Sequence, residues 1–498
     1  MEKTSLNKKF LKLVGGKEVM AFSLTIFGTS MVSSLMGSAL SFFYTEVLHI
    51  AVGVVGTIFL VARIWEAVND PFMGFIVDRT HTKWGKCIPY LRIAPIPLFV
   101  ASVFMFLPIQ NASASFKSIY AGIFYIIYYM LFTAVDVPIS GLSPLLFLEQ
   151  GERNKAVSIS STIGSTGSIL PSGLYFALVL LIGGSEKSPM GNFISATLII
   201  GIGCLCIMAS SRFLKEKIVI PYKKESILKT ILPIFKNKPM LIVLLVSLFG
   251  APMGMMGNAL VYFTTWNYAD TGLSTAFLFP ALQITSGLSW MLSVLCVPFL
   301  LKLASKKKMF IIMAVAGAVF NVVLYLIGFE NVWLYMIFRF FANFPSGVTA
   351  TITALLLADS IEYAEWKTGV RTEGVTYAVV KFVGKISGAL TSALTMFILS
   401  MVNYDSKAMQ ATKDAGISIS QTYPEVLHML FILMTLTMTV AFILQLLPML
   451  FYKFEGAFQK KVLDELKERR LAKDSEVQLI EEERIREESL LEENLAES

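Results

Sequence analysis

Long apolar segments separated by short polar ones run along most of the chain. A helix needs about 20 apolar residues to cross the hydrocarbon core of a bilayer. On that measure the pattern predicts twelve spans, near 18–45, 52–77, 90–109, 117–147, 156–183, 190–211, 239–265, 274–301, 309–328, 331–357, 372–402 and 425–452. Several exceed the length of a straight crossing and contain Gly or Pro, which predicts tilt and bending rather than extra segments. The longest polar connection separates six spans from six. The expected organisation is a six-helix half over 1–211, a basic central loop over 212–238, a second six-helix half over 239–452 and a charged tail over 453–498. No close sequence repeat relates the halves, so this division rests on helix count and loop placement. The tail carries Leu and Ile at helical spacing and reads as a cytoplasmic helix with frayed ends, a solvated appendage more than a working arm.

Composition sharpens this picture. Of 498 residues, 55% are hydrophobic and 15% charged, and the mean hydropathy is +0.67. Soluble domains carry about 25% charged residues. A soluble enzyme, a disordered chain and a fibrous protein are excluded, and the recurrence of apolar segments excludes a one-span receptor. The fold class is an all-α integral membrane protein with twelve transmembrane helices. The net charge of +7 is unevenly placed. With the N-terminus cytoplasmic, nineteen Lys and Arg fall in inner connections and four (Lys117, Lys187, Lys407 and Lys413) in outer ones. This predicts a multi-pass protein of the cell (inner) membrane with both termini cytoplasmic, and it explains the basic charge without nucleic acid. A Lys-rich leader runs straight into the first span, with no evident cleavable signal. The four Cys lack zinc or redox spacing and the three His are scattered. With no nucleophile–base constellation either, neither an enzyme nor a bound cofactor is expected.

The informative residues are the ionisable ones inside spans, each costing about 3 kcal/mol or more at the bilayer centre unless compensated. In the second span Arg63, Glu66 and Asp70 share one helical face. With Asn69 they offer hard oxygen ligands to Na+, or carboxylates that carry a proton. The alternative is an internal salt bridge from Arg63 that only ties helices together. Pro71 weakens the local ladder and frees a carbonyl as another ligand. The fourth span places Thr133 one turn before Asp136 in an aromatic helix (Tyr125, Tyr128, Tyr129, Phe132). A carboxylate beside rings suits a sugar, whose hydroxyls it accepts while a ring covers the pyranose face. The eleventh span carries Glu373, Lys381 and Lys385. The two lysines share a face, and one facing the pocket could balance the acidic cluster of the other half or attract an anionic substrate. Lys381 could instead snorkel toward the interface, while Lys385 lies deeper. The fifth span is small and polar from Ser158 to Ser168, which permits close helix contact or lines a wet path.

At these residues the chain resembles the glycoside–pentoside–hexuronide:cation symporter family, a branch of the major facilitator superfamily. The resemblance rests on Phe59 to Pro89 (FLVARIWEAVNDPFMGFIVDRTHTKWGKCIP), on Asp136-Val137-Pro138 with Thr133, and on Asp359 to Gly374 leading to Lys385. It covers the twelve-span body and not the tail. It implies two six-helix halves that rock around a midplane site, with Na+ or H+ held by Glu66, Asn69, Asp70 and Thr133. Asp136 matches a sugar-binding carboxylate and Lys385 a lysine of the eleventh helix implicated in coupling. Gly74, Asp78, Arg79, Gly85 and Lys86 match the superfamily's cytoplasmic loop, whose charges gate by pairing across the halves, with Arg63 nearby. Where melibiose-transporting members of the family carry a carboxylate, a stacking Trp, an arginine and a threonine, this chain has Ser30, Ser140, Ser161 and Lys381. The implied cation site is largely kept and the sugar site rebuilt, with a more positive pocket that points to an acidic sugar. The expected function is cation-coupled symport of a glycoside, pentoside or hexuronide by alternating access. Its rivals are an uncoupled facilitator, a lysolipid carrier and a receptor whose tail is the working part. The expected partners are a sugar, a monovalent cation and membrane lipid.

Overall fold

A computed structural model describes residues 16–147, 150–217, 237–369 and 373–469. The Lys-rich leader, most of the expected central loop (218–236), Arg371, the side chain of Glu373 and the tail beyond 469 lie outside the described residues.

The first six helices are α1 (Lys17–Val47), α2 (Val52–Arg79), α3 in two pieces (Ile88–Ile93 and Pro95–Met105), α4 (Ala114–Leu146), α5 (Gln150–Gly183) and α6 (Pro189–Ser211). The last six are α7 (Lys238–Trp266), α8 (Thr275–Leu303), α9 (Lys306–Ile327), α10 (Val332–Thr368), α11 (Glu373–Met401) and α12 (Pro424–Leu450). Eleven are long and apolar enough to cross a membrane. The expected third span differs: it is split at Ala94, where Pro95 supplies no N–H to continue the ladder. Pro71, by contrast, sits inside a continuous α2. Local signals set the ends. Ser113, Ser188, Asn237, Ser305 and Asn331 accept backbone N–H bonds from the first turns of α4, α6, α7, α9 and α10. Gly369, at φ 72, closes α10 in the left-handed conformation.

The helices alternate in direction between two faces. The face where α1 begins and α12 ends is here the terminal face; the opposite one is the far face. α1 packs on α5 and α6, α2 on α4, α8 on α10, and α9 on α10 and α12. The first six helices meet the last six chiefly through α2 with α11 and α5 with α8. One apolar core runs continuously from the first six helices into the far-face parts of the last six, including Phe263, Tyr335 and Phe431. A separate core, with Phe310, Leu356 and Phe442, serves the terminal-face part of the last six. The two groups are thus fused at the far face.

Expected as a solvated appendage, the described start of the tail instead forms a docked helix, α13 (456–469). It buries Val462 and Leu466, and its Glu465 accepts the indole N–H of Trp366 at 2.6 Å. The helical spacing of its apolar residues is the reason: they form a stripe that covers the terminal end of α10.

Candidate functional site: a charged cluster between α2, α4 and α11

Close approach of α2 and α11 is set by glycine. A Cβ at Gly56 would stand 2.8 Å from Cβ of Met396, and one at Gly53 would stand 3.2 Å from Ser400 Oγ. The same antiparallel register, continued toward the terminal face, brings Lys385 level with Glu66 and Asp70. Lys385 Nζ lies 3.0 Å from Glu66 Oε1 and 3.9 Å from Asp136 Oδ2, and it donates a hydrogen bond to Asp70 Oδ2. Glu66 is 2% exposed and also takes Arg63 Nη1 at 3.0 Å on Oε2. Thr133 Oγ1, fully buried, donates to Asp70 Oδ1 at 3.0 Å. Asn69 stands half-buried beside them on α2.

The structure therefore joins Arg63, Glu66, Asp70, Thr133, Asp136 and Lys385 in one cluster. The salt bridge foreseen as the alternative is present, but Arg63 pairs with Glu66, while Asp70 answers to Lys385. With all groups ionised, two cations face three carboxylates, an excess of one negative charge. Breaking a buried pair by removing one partner costs about 3–5 kcal/mol, so whatever replaces Lys385 must itself be cationic. Among the described residues no group of three or more His, Cys, Asp or Glu is arranged to hold a metal ion.

The other sequence-derived residues are more dispersed. Lys381 reaches across the halves and donates to Ser140 Oγ; both side chains are exposed. Ser161 is exposed on α5. Ser30 faces Gly164, where α1 and α5 nearly touch: a Cβ at Gly167 would lie 2.5 Å from the carbonyl oxygen of Phe27. The polar run of α5 thus does two things. Ser160, Gly164 and Gly167 pack against α1, while Ser161, Thr162, Ser165 and Thr166 are exposed. One expectation is corrected. Tyr125, Tyr128, Tyr129 and Phe132 are buried and stack on one another, with Arg63 over Tyr129 at 4.7 Å. Their faces are consumed by packing and offer no sugar platform. In the terminal-face loop Lys86 bonds Asp78 at 2.7 Å and Arg79 stacks on Phe75 at 3.8 Å, all within the first six helices. Gly85, at φ 103, lets Glu216 approach and accept the N–H groups of Lys86, Cys87 and Ile88.

A second cluster escaped the sequence reading. At the far face Glu46, in a π-helical turn at the end of α1, accepts hydrogen bonds from Lys187 Nζ (2.9 Å), Ser406 Oγ (2.7 Å) and Tyr404 OH. Lys187 also reaches Gln410 at 2.8 Å and lies 4.1 Å over the Trp266 ring, whose N–H donates to Tyr404 at 2.6 Å. The acidic residue at the edge of a span was the available signal.

The family described as MFS/sugar transport protein matches residues 21–456. The isoprimeverose transporter of Lactiplantibacillus pentosus is 30% identical over 459 residues, 91% of each chain. The glucuronide carrier protein homolog of Escherichia coli (strain K12) is 25% identical, covering 74% of this chain and 80% of that one. The solved nucleoside transporter NupG superposes with a TM-score of 0.59 at 16% identity, over 88% of this chain and all of that one. A D-xylose–proton symporter gives 0.56 at 12% identity, over 88% and 98%. At such identities the solved structures speak for the fold alone.

Proposed function

The chain belongs to the MFS/sugar transport protein family, and from that premise we propose that Lys385 is the exchangeable occupant of its cation site. The protein is a multi-pass membrane transporter, a sugar–cation symporter rather than an enzyme. The bridge from Lys385 to Glu66 and Asp70 carries the reading. At the midplane it ties α11 of one half to α2 of the other by charge. Na+ or a proton entering among Glu66, Asn69, Asp70 and Thr133 supplies the positive charge that Lys385 now supplies. Lys385 is then released from the first half, and the tie loosens. Binding free energy at the cation site becomes freedom of the halves to move, and coupling of this kind is reciprocal with sugar. The excess of one negative charge favours one monovalent cation per cycle. An uncoupled carrier would gain nothing from three midplane carboxylates, each costly to hold there.

The sugar enters near Asp136, Lys381 and Ser140. In this conformation the far-face seam is shut, and the basic bias of the terminal-face loops makes that face cytoplasmic, so the state is one closed to the outside. Asp70→Asn is expected to abolish cation-driven accumulation, at least 50-fold below wild type, while sugar counterflow without a gradient persists. Full accumulation by that variant in proteoliposomes would remove the assignment.

A further inference from the structure

A cavity of about 510 Å3 opens between the halves, with Ser34 and Ser168 on one wall and Gln283 and Trp290 on the other. Transport itself requires such a space. A larger cavity, of about 760 Å3, lies at the far face beside Glu46 and has no part in that reading. Small-molecule sites span roughly 300–1,000 Å3. Five far-face connections contribute to it, with His49, Gln110 and Lys187 from the first six helices and Ser274 and Lys413 from the last six. The cavity therefore straddles the closed seam. The side chains of His49, Gln110, Ser274 and Lys413 form no hydrogen bond or ion pair among the described residues. His49 holds a φ of 55, a conformation uncommon outside glycine that often marks a ligand site.

Positive charge gathers at the same place. The four lysines that the sequence puts on this side are Lys117, Lys187, Lys407 and Lys413. Lys187 and Lys413 line the cavity. Lys117 donates to the carbonyl of Leu48, next to His49, at 2.6 Å. Among the described residues, Lys187 alone of the four pairs with a carboxylate, that of Glu46. The neighbouring acids are spent on other donors. Glu186 accepts the N–H of Ala276 at 2.6 Å, Asp405 those of Lys407 and Ala408, and Asp414 the amide of Gln410 at 2.7 Å. Burial lowers the His49 pKa, and Lys187, Lys117 and Lys407 lower it further, against the opposing pull of Glu46. Three ammonium groups against one carboxylate leave the potential at His49 positive, and a cleft of that kind concentrates anions.

We infer that this far-face vestibule binds a small organic polyanion of the di- or tricarboxylate class, with one carboxylate on His49 and another on Lys413. His49 belongs to the first six helices and Lys413 to the last six, so the bound anion bonds the halves across the seam. It binds the closed state better than the open one, and by that difference it shifts the protein toward the closed state. It acts as an inhibitor from the far side, away from the sugar and cation sites. Only the orientation of the far face, outward, is taken from the symport reading.

The test titrates citrate, and acetate at the same total charge, into the purified full-length protein at fixed pH, Na+ and ionic strength. Citrate is expected to raise Tm saturably and acetate to leave it unchanged. H49Q and K413Q are each expected to weaken citrate about tenfold, the loss of one hydrogen bond between charged groups. An equal rise in wild type and both variants is a general salt effect and overturns the site, as does no rise at all. An equal rise with acetate overturns the bridge between the halves. The second readout is sided. In intact cells a Ser34→Cys protein, labelled by an impermeant maleimide from outside, is expected to react about tenfold more slowly with citrate outside, and to lose that protection in K413Q. Unchanged labelling at saturating citrate overturns the clamp. Protection only when citrate and reagent are both added from the cytoplasmic side overturns the outward placement of this face, and the inference with it. None of these measurements needs a sugar or a gradient, so their failure leaves symport standing.

Discussion

At the far face Glu46 is 1% exposed, and three donors fill its oxygens: the hydroxyls of Tyr404 and Ser406 and the ammonium of Lys187. At the midplane Glu66 and Asp70 share one lysine, and the side chains of Asp70, Asp136 and Lys385 keep 24%, 28% and 21% of their exposure. Both clusters pair carboxylate with lysine, and both join the halves. In the first, the cross-half bonds to Glu46 come from neutral hydroxyls, while its ion pair with Lys187 stays within one half and balances its charge. In the second, the cross-half bond is ionic, one negative charge is left over, and the acids are reachable. A small cation can stand in for an ammonium but not for a phenol and a serine. On the proposed reading the far-face cluster is a latch and the midplane cluster a site.

The largest effect separates the two lysines. Lys385→Ala leaves Asp70 with Thr133 and leaves Glu66 with Arg63, and losing a buried partner costs about 3–5 kcal/mol. Accumulation is expected to fall at least 100-fold, and Tm to fall and then recover as Na+ or acid is added, because a mobile cation replaces the missing charge. Lys187→Ala also leaves a buried carboxylate without its ammonium, at a similar cost in stability, but Glu46 keeps two hydroxyl donors and the midplane cluster is untouched. Its uptake is expected to stay within tenfold of wild type, with no rescue by Na+. Equal losses and equal rescue in the two variants would erase the distinction between site and latch.

A smaller effect tests the latch itself. Tyr404→Phe removes one hydrogen bond to a charged acceptor across the halves, about 1.5–3 kcal/mol, so the population open to the far face rises roughly tenfold or more. A Ser34→Cys reporter in the cavity wall is expected to react with a membrane-impermeant maleimide added outside about ten times faster in the Tyr404→Phe background. Unchanged labelling would mean that the apolar far-face core, not the hydroxyls, holds the seam shut.

The contrast also marks where local pattern stops informing. The spans were legible because apolar length is a local property, and Arg63, Glu66 and Asp70 were legible because a 3.6-residue period places them on one face. That a lysine of the eleventh span could balance the acidic cluster was legible too; which lysine was not, since Lys381 and Lys385 share a face and only the register that Gly53 and Gly56 allow brings Lys385 to Asp70. Glu46 and Lys187 looked like a span edge and a loop lysine, and only the fold brings them to Tyr404. Arg339, a charge in an apolar span, was not singled out, and that no carboxylate among the described residues pairs with it is a property of all the neighbouring helices together. The break in α3 could have been read from Pro95 and Pro97.

The smallest effect concerns the loop that carries the latch. Residues 404–423 present Tyr404, Ser406 and Gln410, and the far end of that loop is braced by Asp270. Its carboxylate accepts the N–H groups of Ile419 and Ser420 at 3.0 Å each and the Ser418 hydroxyl at 2.8 Å. Burial raises the Asp270 pKa, but the bonds from Ser420, Ile419 and Ser418 together outweigh it and bring the group to about 2. An unfolded Asp titrates near 3.9. The folded value is the lower one, so the brace is in full force above about pH 4 and is lost as pH falls toward 2. Asp270→Asn should therefore lower Tm by a constant small amount, about 2 °C or less for a chain of this size, from pH 8 down to pH 5. The gap from wild type should close between pH 4 and 2. A variant that tracks wild type at every pH would show that the carboxylate braces nothing, and the rigidity of the latch would then rest on Glu46 and its own partners.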